Sequence, residues 1–185
     1  MVWKPNVTVA AVVQRDGKFL LVEEETDAGL AFNQPAGHLE EGESLVDAVV
    51  REALEETAYH FKPTHLVGIY NWKHPSKDVT YLRFAFAGEL RGWEAERKLD
   101  DGIVAARWLT LDEIKATQVR HRSPLILRCV EDLLAGQLVI WRGGDLEGAT
   151  GGHLPLGRKD VTEGRHVRLV DQQRNAIRRR PTGGI

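Results

Sequence analysis

Short hydrophobic runs at strand spacing fill the first and middle parts of the chain. Residues 7–13 form a β-branched run, and residues 18–24 form a second apolar run after Asp16-Gly17. A pair of this kind between two strands favours a tight hairpin turn. Residues 25–30 are predicted to form a loop. Further strands are predicted at residues 31–34, 66–73, 80–90 and 105–109.

The order of strands and helices predicts the fold class. Helices are expected at residues 45–57, 111–116 and 124–135. Ser44 and Thr110 stand at N-cap positions, and Gly136 follows the last helix. Residues 81–88 alternate in side-chain character, which is typical of a strand buried on one face. Strands on both sides of the central helix, with a helix near the end, indicate an α/β (α+β) fold with a mixed sheet between helical layers.

The helix predicted at residues 45–57 has two different faces. Its apolar spacing predicts a buried stripe of Val46, Val49, Val50, Ala53 and Thr57. Glu52, Glu55 and Glu56 lie at i, i+3 and i+4 and crowd another face. Like charges at this spacing destabilise a helix by about 0.2–0.5 kcal/mol per pair. Three such glutamates are most often solvated surface, but a hard cation such as Mg²⁺ would turn this repulsion into a binding site.

The residues around this helix resemble a known family signature. Gly37 is followed after five residues by Glu43, and after seven more by Arg51-Glu52-x-x-Glu55-Glu56. The pattern resembles the box of the Nudix hydrolases, and the resemblance covers roughly residues 5–139. It implies a Nudix-type α/β/α sandwich with a mixed sheet. The helix exit departs from the family pattern, because Ala58 stands where the box has glycine, and Ala is disfavoured in a left-handed cap.

The resemblance implies roles for individual residues. The metal ligands would be the backbone carbonyl of Gly37 and the side chains of Glu52, Glu55 and Glu56, holding Mg²⁺ or Mn²⁺. Glu43 and Arg51 match family residues that pair with this cluster and orient it.

The general base remains open between several residues. The family often uses an acidic residue in the loop before a late strand, where Asp100 and Asp101 stand here. Asp101 is favoured, with Glu52 or Glu55 as the alternative. The alternative is that Asp100 and Asp101 belong to a solvated Asp-Asp-Gly turn and have no catalytic role.

Short segments outside the box resemble one subgroup of the family. They are residues 33–40, the region of Trp72, residues 81–84 and residues 122–125. Members of this subgroup hydrolyse hydroxymethylpyrimidine pyrophosphate and thiamine pyrophosphate, and are loose nucleoside di- and triphosphatases. The resemblance implies that Trp72 and Tyr81 stack on a heteroaromatic ring, and that Arg83 or Arg122 binds terminal phosphate oxygens. The alternatives are that the two aromatic residues pack at the rim of the sheet and that the arginines lie on the surface.

Charge and cysteine content limit the possible partners. Residues 142–185 contain nine Lys/Arg, five Asp/Glu and nine of the 18 glycines, which leaves a net charge of −6 for residues 1–141. We therefore expect a Nudix domain at 1–141, and at 142–185 a Gly/Arg-rich extension that is flexible or loosely docked. The acidic body argues against a nucleic-acid partner. The single cysteine, Cys129, and the lack of a signal peptide or membrane-length apolar run favour a cytoplasmic protein.

The family resemblance implies Mg²⁺-dependent hydrolysis of a phosphoanhydride bond, with water as the nucleophile. The expected substrate is a pyrophosphate-containing small molecule of the thiamine pyrophosphate type or a nucleoside di- or triphosphate. A dinucleotide such as ADP-ribose, or an RNA 5′ end, is the alternative substrate. A non-catalytic nucleotide-binding module is the alternative class. No membrane partner is expected, and the protein is predicted to be a monomer or homodimer.

The acidic helix gives the first testable prediction. Glu55→Gln should lower kcat at least about 100-fold with Mg²⁺, because loss of one charged group from a catalytic site has effects of this order. The matched control is Glu41→Gln, which changes a neighbouring glutamate outside the predicted metal face. Equal losses in the two variants would contradict the assignment.

Overall fold

The computed structural model describes residues 2–136, 139–140 and 169–171. Most of the predicted C-terminal extension, residues 142–185, lies outside the described residues, so the division into two regions stays a prediction. Among the described residues, no helix is both long and apolar enough to span a bilayer.

Ten strands and three α-helices make up the described chain. The strands are β1 (Asn6–Val12), β2 (Gln14–Arg15), β3 (Lys18–Thr26), β4 (Gly29–Asn33), β5 (Ala36–His38), β6 (Tyr59–Lys73), β7 (Thr80–Trp93), β8 (Ile103–Thr110), β9 (Val139–Ile140) and β10 (Leu169–Asp171). The helices are α1 (Leu45–Thr57), α2 (Leu111–Ala116) and α3 (Leu125–Leu134), with a short 3₁₀ turn at Gln118–Arg120.

The strands form two sheets. The larger sheet has the order β10-β6-β7-β1-β5, and β9 also pairs with β6. In it β1 runs parallel to β7 and antiparallel to β5, while β6 and β7 are antiparallel. The smaller sheet places β3 between β8 on one side and β2 with β4 on the other. The predicted mixed sheet is confirmed.

The larger sheet is covered by α1 on one face and by α3 on the other. One hydrophobic cluster joins Val9, Ala11 and Phe86 to Ala48, Val49 and Ala53 of α1. The second joins Ala10, Val12 and Ala85 to Leu125, Ile126 and Cys129 of α3. Strand β7 is therefore buried on both faces, and the prediction that only one of its faces is buried was wrong. The physical reason is that alternation in side-chain size does not show that a second helix covers the other face.

Helix α1 begins and ends where the sequence indicates. The Ser44 hydroxyl accepts a hydrogen bond from the Asp47 N–H at 3.1 Å. Ala58 adopts the left-handed conformation at φ 60°, and its N–H donates to the Leu54 carbonyl. The αL cap that the family pattern assigns to glycine is thus formed here by alanine.

The predicted buried stripe of α1 needed correction. Val49, Ala53 and Thr57 are buried, but Val46 and Val50 are only half-buried, and Ala48 is buried instead. Glu52 and Glu56 are also buried, each with 8 % of its surface exposed. The reason is that β5 packs over this side of the helix, so the acidic face is enclosed rather than solvated.

Several strands are longer than predicted. β3 continues to Thr26 and β4 begins at Gly29, so only two residues connect them and the loop predicted at 25–30 was wrong. β6 starts directly after Ala58, where Lys62-Pro63 interrupts the hydrophobic pattern and obscures the strand. Asp16 and Gly17, both at positive φ, confirm the predicted hairpin.

Candidate active site

One arginine joins the acidic residues of α1 to the loop before it. Arg51 makes a bidentate ion pair with Glu43, at 2.8 Å from Nε to Oε1 and 3.0 Å from Nη2 to Oε2. Its Nη1 donates to Glu52 Oε1 at 2.8 Å and to Glu55 Oε2 at 3.0 Å. Its Nη2 also donates to the carbonyl oxygen of His38 at 3.1 Å. All five contacts are internal, so Arg51 orients the cluster and has little capacity left for a substrate.

Strand β5 holds the opposite side of the cluster. The Ala36 N–H donates to Glu56 Oε2 at 2.8 Å. The carboxylate of Glu52 lies against the Cα of Gly37, where a Cβ atom would come within 2.1 Å of Glu52 Oε1. The Glu52 carboxylate can therefore occupy this position only because residue 37 is glycine, since a Cβ atom would displace it. The structure brings Gly37, Glu52 and Glu56 together, and their role as metal ligands stays a prediction.

Burial determines the charge behaviour of these carboxyl groups. It raises the pKa of Glu56 to about 8, and the backbone hydrogen bond from Ala36 only partly offsets this. Burial also raises the pKa of Glu52, against the opposing effect of Arg51. The hydrogen bonds from Arg51 instead lower the pKa of Glu43. The site thus holds two carboxylates whose charged forms lack sufficient compensation from the protein.

The donor set fits a hard divalent cation. One oxygen of each of Glu52, Glu55 and Glu56 is hydrogen-bonded, and the other accepts no hydrogen bond among the described residues. Three such carboxylate oxygens are the ligand type that Mg²⁺ prefers. Within the described part of the chain, no three His, Cys, Asp or Glu side chains already converge as a metal site. Binding would therefore require these side chains to converge further.

The two candidates for an acidic base in the loop before β8 differ in position. Asp101 is 95 % exposed at its side chain and pairs with Lys98 at 2.9 Å, and that hydrogen bond lowers its pKa. The charge of Asp100, by contrast, acts on both Glu52 and Glu56. The Asp100 N–H also donates to the carbonyl oxygen of Glu55 at 3.1 Å. The structure brings Asp100 to the acidic cluster and does not bring Asp101 there.

A cleft of about 880 Å³ lies beside the acidic cluster formed by Glu52, Glu55 and Glu56. Ala36 and Gly37, which contact this cluster, also line the cleft. The four residues predicted to bind substrate, Trp72, Tyr81, Arg83 and Arg122, all line this cleft. Trp72 and Tyr81 stack on each other, with ring centroids 5.7 Å apart and an interplanar angle of 23°. Their role in stacking on a substrate stays a prediction.

The two arginines of the cleft are engaged by the protein. Arg83 is 8 % exposed and donates to Gln34 Oε1 at 3.2 Å and to Asn33 Oδ1 at 3.5 Å. Burial lowers the pKa of Arg83. Arg122 pairs with Glu24 at 3.4 Å. Phosphate binding by these residues is therefore an untested prediction, and it would compete with existing contacts.

Several cleft residues have no sequence signal of their own. Glu24, His121 and Ser123 line the cleft, but Glu24 lies in an acidic run that is typical of surface, and the seven histidines show no clustering. The isolated bridge between Phe32 and His121 places His121 beside β4, with Ser123 two residues further along the chain. That contact spans almost ninety positions, so local pattern could not indicate it.

The layered fold, the arginine-bound carboxylates and the adjoining cleft agree with the class of hydrolase that the acidic box resembles. A family model described as NUDIX domain matches residues 3–129, and the chain belongs to the Nudix hydrolase family. The expected α/β/α sandwich is confirmed.

Known proteins of the family resemble this chain over most of their length. Phosphatase NudJ of Shigella boydii is 43 % identical over 136 residues, which cover 73 % of this chain and 87 % of that protein. Phosphatase NudJ of Escherichia coli K12 is 42 % identical over 135 residues, with the same coverage. A NUDIX hydrolase from Nitrosomonas europaea is 54 % identical with a TM-score of 0.70, covering 72 % of this chain and 90 % of that one.

The close approach at Gly37 gives a prediction for activity. Gly37→Ala should lower kcat at least about 10-fold, because the new methyl group displaces the Glu52 carboxylate, and misplaced charged groups have effects of this size or more. The free energy of unfolding should change little, since the displaced atoms end a flexible side chain. Steady-state kinetics and urea unfolding measure the two quantities. Gly92→Ala is the control, where the nearest atom lies 3.3 Å from a Cβ. Unchanged kcat in Gly37→Ala would contradict this geometry.

The raised pKa of Glu56 predicts how stability depends on pH. The folded protein holds this proton up to about pH 8, whereas the unfolded chain releases it near the ordinary value of 4.5. The metal-free protein should therefore lose stability as pH rises, by on the order of 1 kcal/mol per pH unit around neutrality. His121 acts with the opposite sign below about pH 6.5, because burial lowers its pKa. Urea unfolding with EDTA between pH 7 and 8 avoids that range, and Glu56→Gln should remove most of the slope. An equal slope in both proteins would contradict the prediction.

Proposed function

We propose that this protein hydrolyses a phosphoanhydride bond in a pyrophosphate-containing small molecule, of the thiamine pyrophosphate type or a nucleoside di- or triphosphate. The single observation that carries the proposal is the set of contacts from Arg51 to Glu43, Glu52 and Glu55. This set orients three carboxylates, of which that of Glu52 lies against Gly37, a residue that lines the cleft. The roughly 43 % identity to Phosphatase NudJ proteins supports the same activity.

The proposed metal site consists of Glu52, Glu55, Glu56 and the carbonyl oxygen of Gly37. Mg²⁺ or Mn²⁺ bound there supplies Lewis-acid stabilisation of charge on phosphoryl oxygens and activation of water. The protein's part is to hold the carboxylates in place: Glu43 neutralises Arg51, and Arg51 restrains Glu52 and Glu55. Ala36 restrains Glu56 from the other side.

A carboxylate of the cluster is the proposed acceptor of the proton from the attacking water. Among the described residues, Glu52 and Glu55 each have an oxygen without a hydrogen-bond donor, and burial raises the pKa of Glu52. Asp101 is the third candidate, but its pairing with Lys98 and its lowered pKa make it a weaker base. Asp100 contributes negative charge near Glu52 and Glu56.

The cleft supports a substrate with a group attached to the pyrophosphate. Its volume of about 880 Å³ lies within the range of roughly 300–1,000 Å³ that is usual for small-molecule sites. The proposed substrate-binding residues are Trp72, Tyr81, Arg83 and Arg122. Small-molecule specificity, a cytoplasmic location and a monomeric or homodimeric state remain predictions from the sequence.

Substrate and metal dependence test the proposal directly. With Mg²⁺, the purified protein should release phosphate or pyrophosphate from at least one of thiamine pyrophosphate, GTP and ADP-ribose, and EDTA should abolish the activity. Competition between substrates at equal concentration gives the ratio of kcat/KM values. A clear preference for ADP-ribose or for an RNA 5′ end would favour the alternative substrates. Binding without turnover, with both Mg²⁺ and Mn²⁺, would contradict an enzyme.

A further inference from the structure

Strand β6 has one edge that is covered only by the C-terminal part of the described chain. β7 pairs with the other edge from Tyr59 to Lys73. On the edge away from β7, β9 pairs antiparallel with residues 65–66 and β10 pairs parallel with residues 69–71. Within residues 3–129, which the family model matches and the structure describes in full, no strand pairs with this edge. The two C-terminal strands therefore complete the larger sheet from outside the matched region.

The covered part of β6 has the composition of a segment that pairs readily with other strands. Residues 66–72 read Leu-Val-Gly-Ile-Tyr-Asn-Trp, with no charged residue and no proline. Segments of this length with high β-propensity and low net charge associate when their edge is exposed. Lys62-Pro63 precedes the segment and Lys73 follows it. Lysine and proline oppose edge pairing, so the two ends of the segment are protected and its middle is not.

Backbone geometry separates β6 into an irregular half and a regular half. Its register with β7 shifts at three places, between His60 and Phe61, between Pro63 and His65, and between Leu66 and Gly68. Such bulges bend and twist a strand, which disfavours the addition of another strand at its edge. From Gly68 to Lys73 the register is continuous. The regular half is therefore the part best suited to accept a strand, and β10 pairs within it.

A second copy of the chain would compete with β10 for the same backbone groups. Two copies could pair antiparallel through β6, because a two-fold axis lets each copy present the same residues to the other. β10 is only three residues long, so it has few hydrogen bonds with which to compete. Its advantage is that it belongs to the same chain, since a covalent link gives effective concentrations up to the order of millimolar. At lower protein concentrations the intramolecular strand is favoured.

We propose that β10 is a capping strand, which occupies the edge of β6 at residues 69–71 and so prevents β6 from pairing with β6 of a second copy. The interaction surface is the regular half of the β6 edge, and the partner that it fits is another copy of this chain. Residues 169–171 are the intramolecular competitor. Neither substrate nor metal takes part, so failure of this proposal would leave the proposed function intact.

Proline substitutions in the full chain test the capping role. Leu169→Pro/Val170→Pro removes the donor toward β6 whichever residue supplies it, because consecutive N–H groups of a strand point to opposite edges and proline has none. In sedimentation velocity between about 1 and 100 µM, this variant should move toward twice the wild-type mass as concentration rises, since a contact of this small size is weak. Gln172→Pro/Gln173→Pro makes the same change outside β10 and should sediment as wild type.

A charge on the edge of β6 shows whether the new contact uses this strand. Asn71→Lys, added to the Leu169→Pro/Val170→Pro protein, should restore the wild-type mass, because lysine on an edge opposes strand pairing and the two-fold axis brings like charges together. A double-proline variant that keeps the wild-type mass at every concentration would overturn the proposal. Association that Asn71→Lys does not reverse would also overturn it.

A cysteine pair tests the intramolecular contact even if the proline variant does not fold. Asn71 and Asp171 are register partners on adjacent strands, and the spacing of adjacent strands suits a disulfide. Oxidised Asn71→Cys/Asp171→Cys should therefore show a cross-link within one chain on non-reducing electrophoresis. Cys129 does not compete, because it is fully buried and burial raises the pKa of its thiol to about 12. Asn71→Cys alone is the control and should form no such cross-link. A cross-link only between chains, or none, would overturn the capping role.

Discussion

Arg51 shares one guanidinium among Glu43, Glu52 and Glu55, and the position of the acidic cluster depends on this sharing. Without it, glutamates at i, i+3 and i+4 on one helix would repel each other and turn toward solvent. The bidentate pair with Glu43 also ties the helix to the loop that follows β5. A single cation therefore orients Glu43, Glu52 and Glu55, while the N–H of Ala36 holds Glu56.

The same arrangement leaves the protein with a charge that it does not fully compensate. Glu52 and Glu56 are buried between α1 and β5, and their pKa values are raised as a result. Removal of carboxylates from water is unfavourable unless a cation or hydrogen bonds replace the solvent. One arginine for four glutamates is insufficient, and a bound divalent cation would supply the remaining positive charge. Instability in the metal-free site and affinity for a metal thus have one electrostatic origin.

The cleft also holds buried polar groups that the protein does not fully compensate, and some of these groups are uncharged. Thr8, Arg83 and Ser123 are buried there and each has a polar atom that makes no hydrogen bond among the described residues, whereas hydrophobic clusters cover both faces of the larger sheet. Polar groups held in this way lower the stability of the free protein and become available to a ligand of matching shape. The acidic cluster and the cleft meet at Ala36 and Gly37, so β5 is the element that joins the two halves of the site.

The sequence determined the helices, most of the strands and the acidic residues, because these depend on local spacing: Ser44, the Asp16-Gly17 turn and the Glu52, Glu55 and Glu56 positions are all short-range features. It also indicated the fold through the resemblance of the box at residues 37–56. Only the tertiary structure decided that Glu56 and Glu52 are buried, that Asp100 rather than Asp101 adjoins them, and that β7 is covered on both faces. It alone placed Glu24, Arg83, His121 and Ser123 in one cleft. These properties arise from contacts between residues far apart in the chain, which no local periodicity encodes.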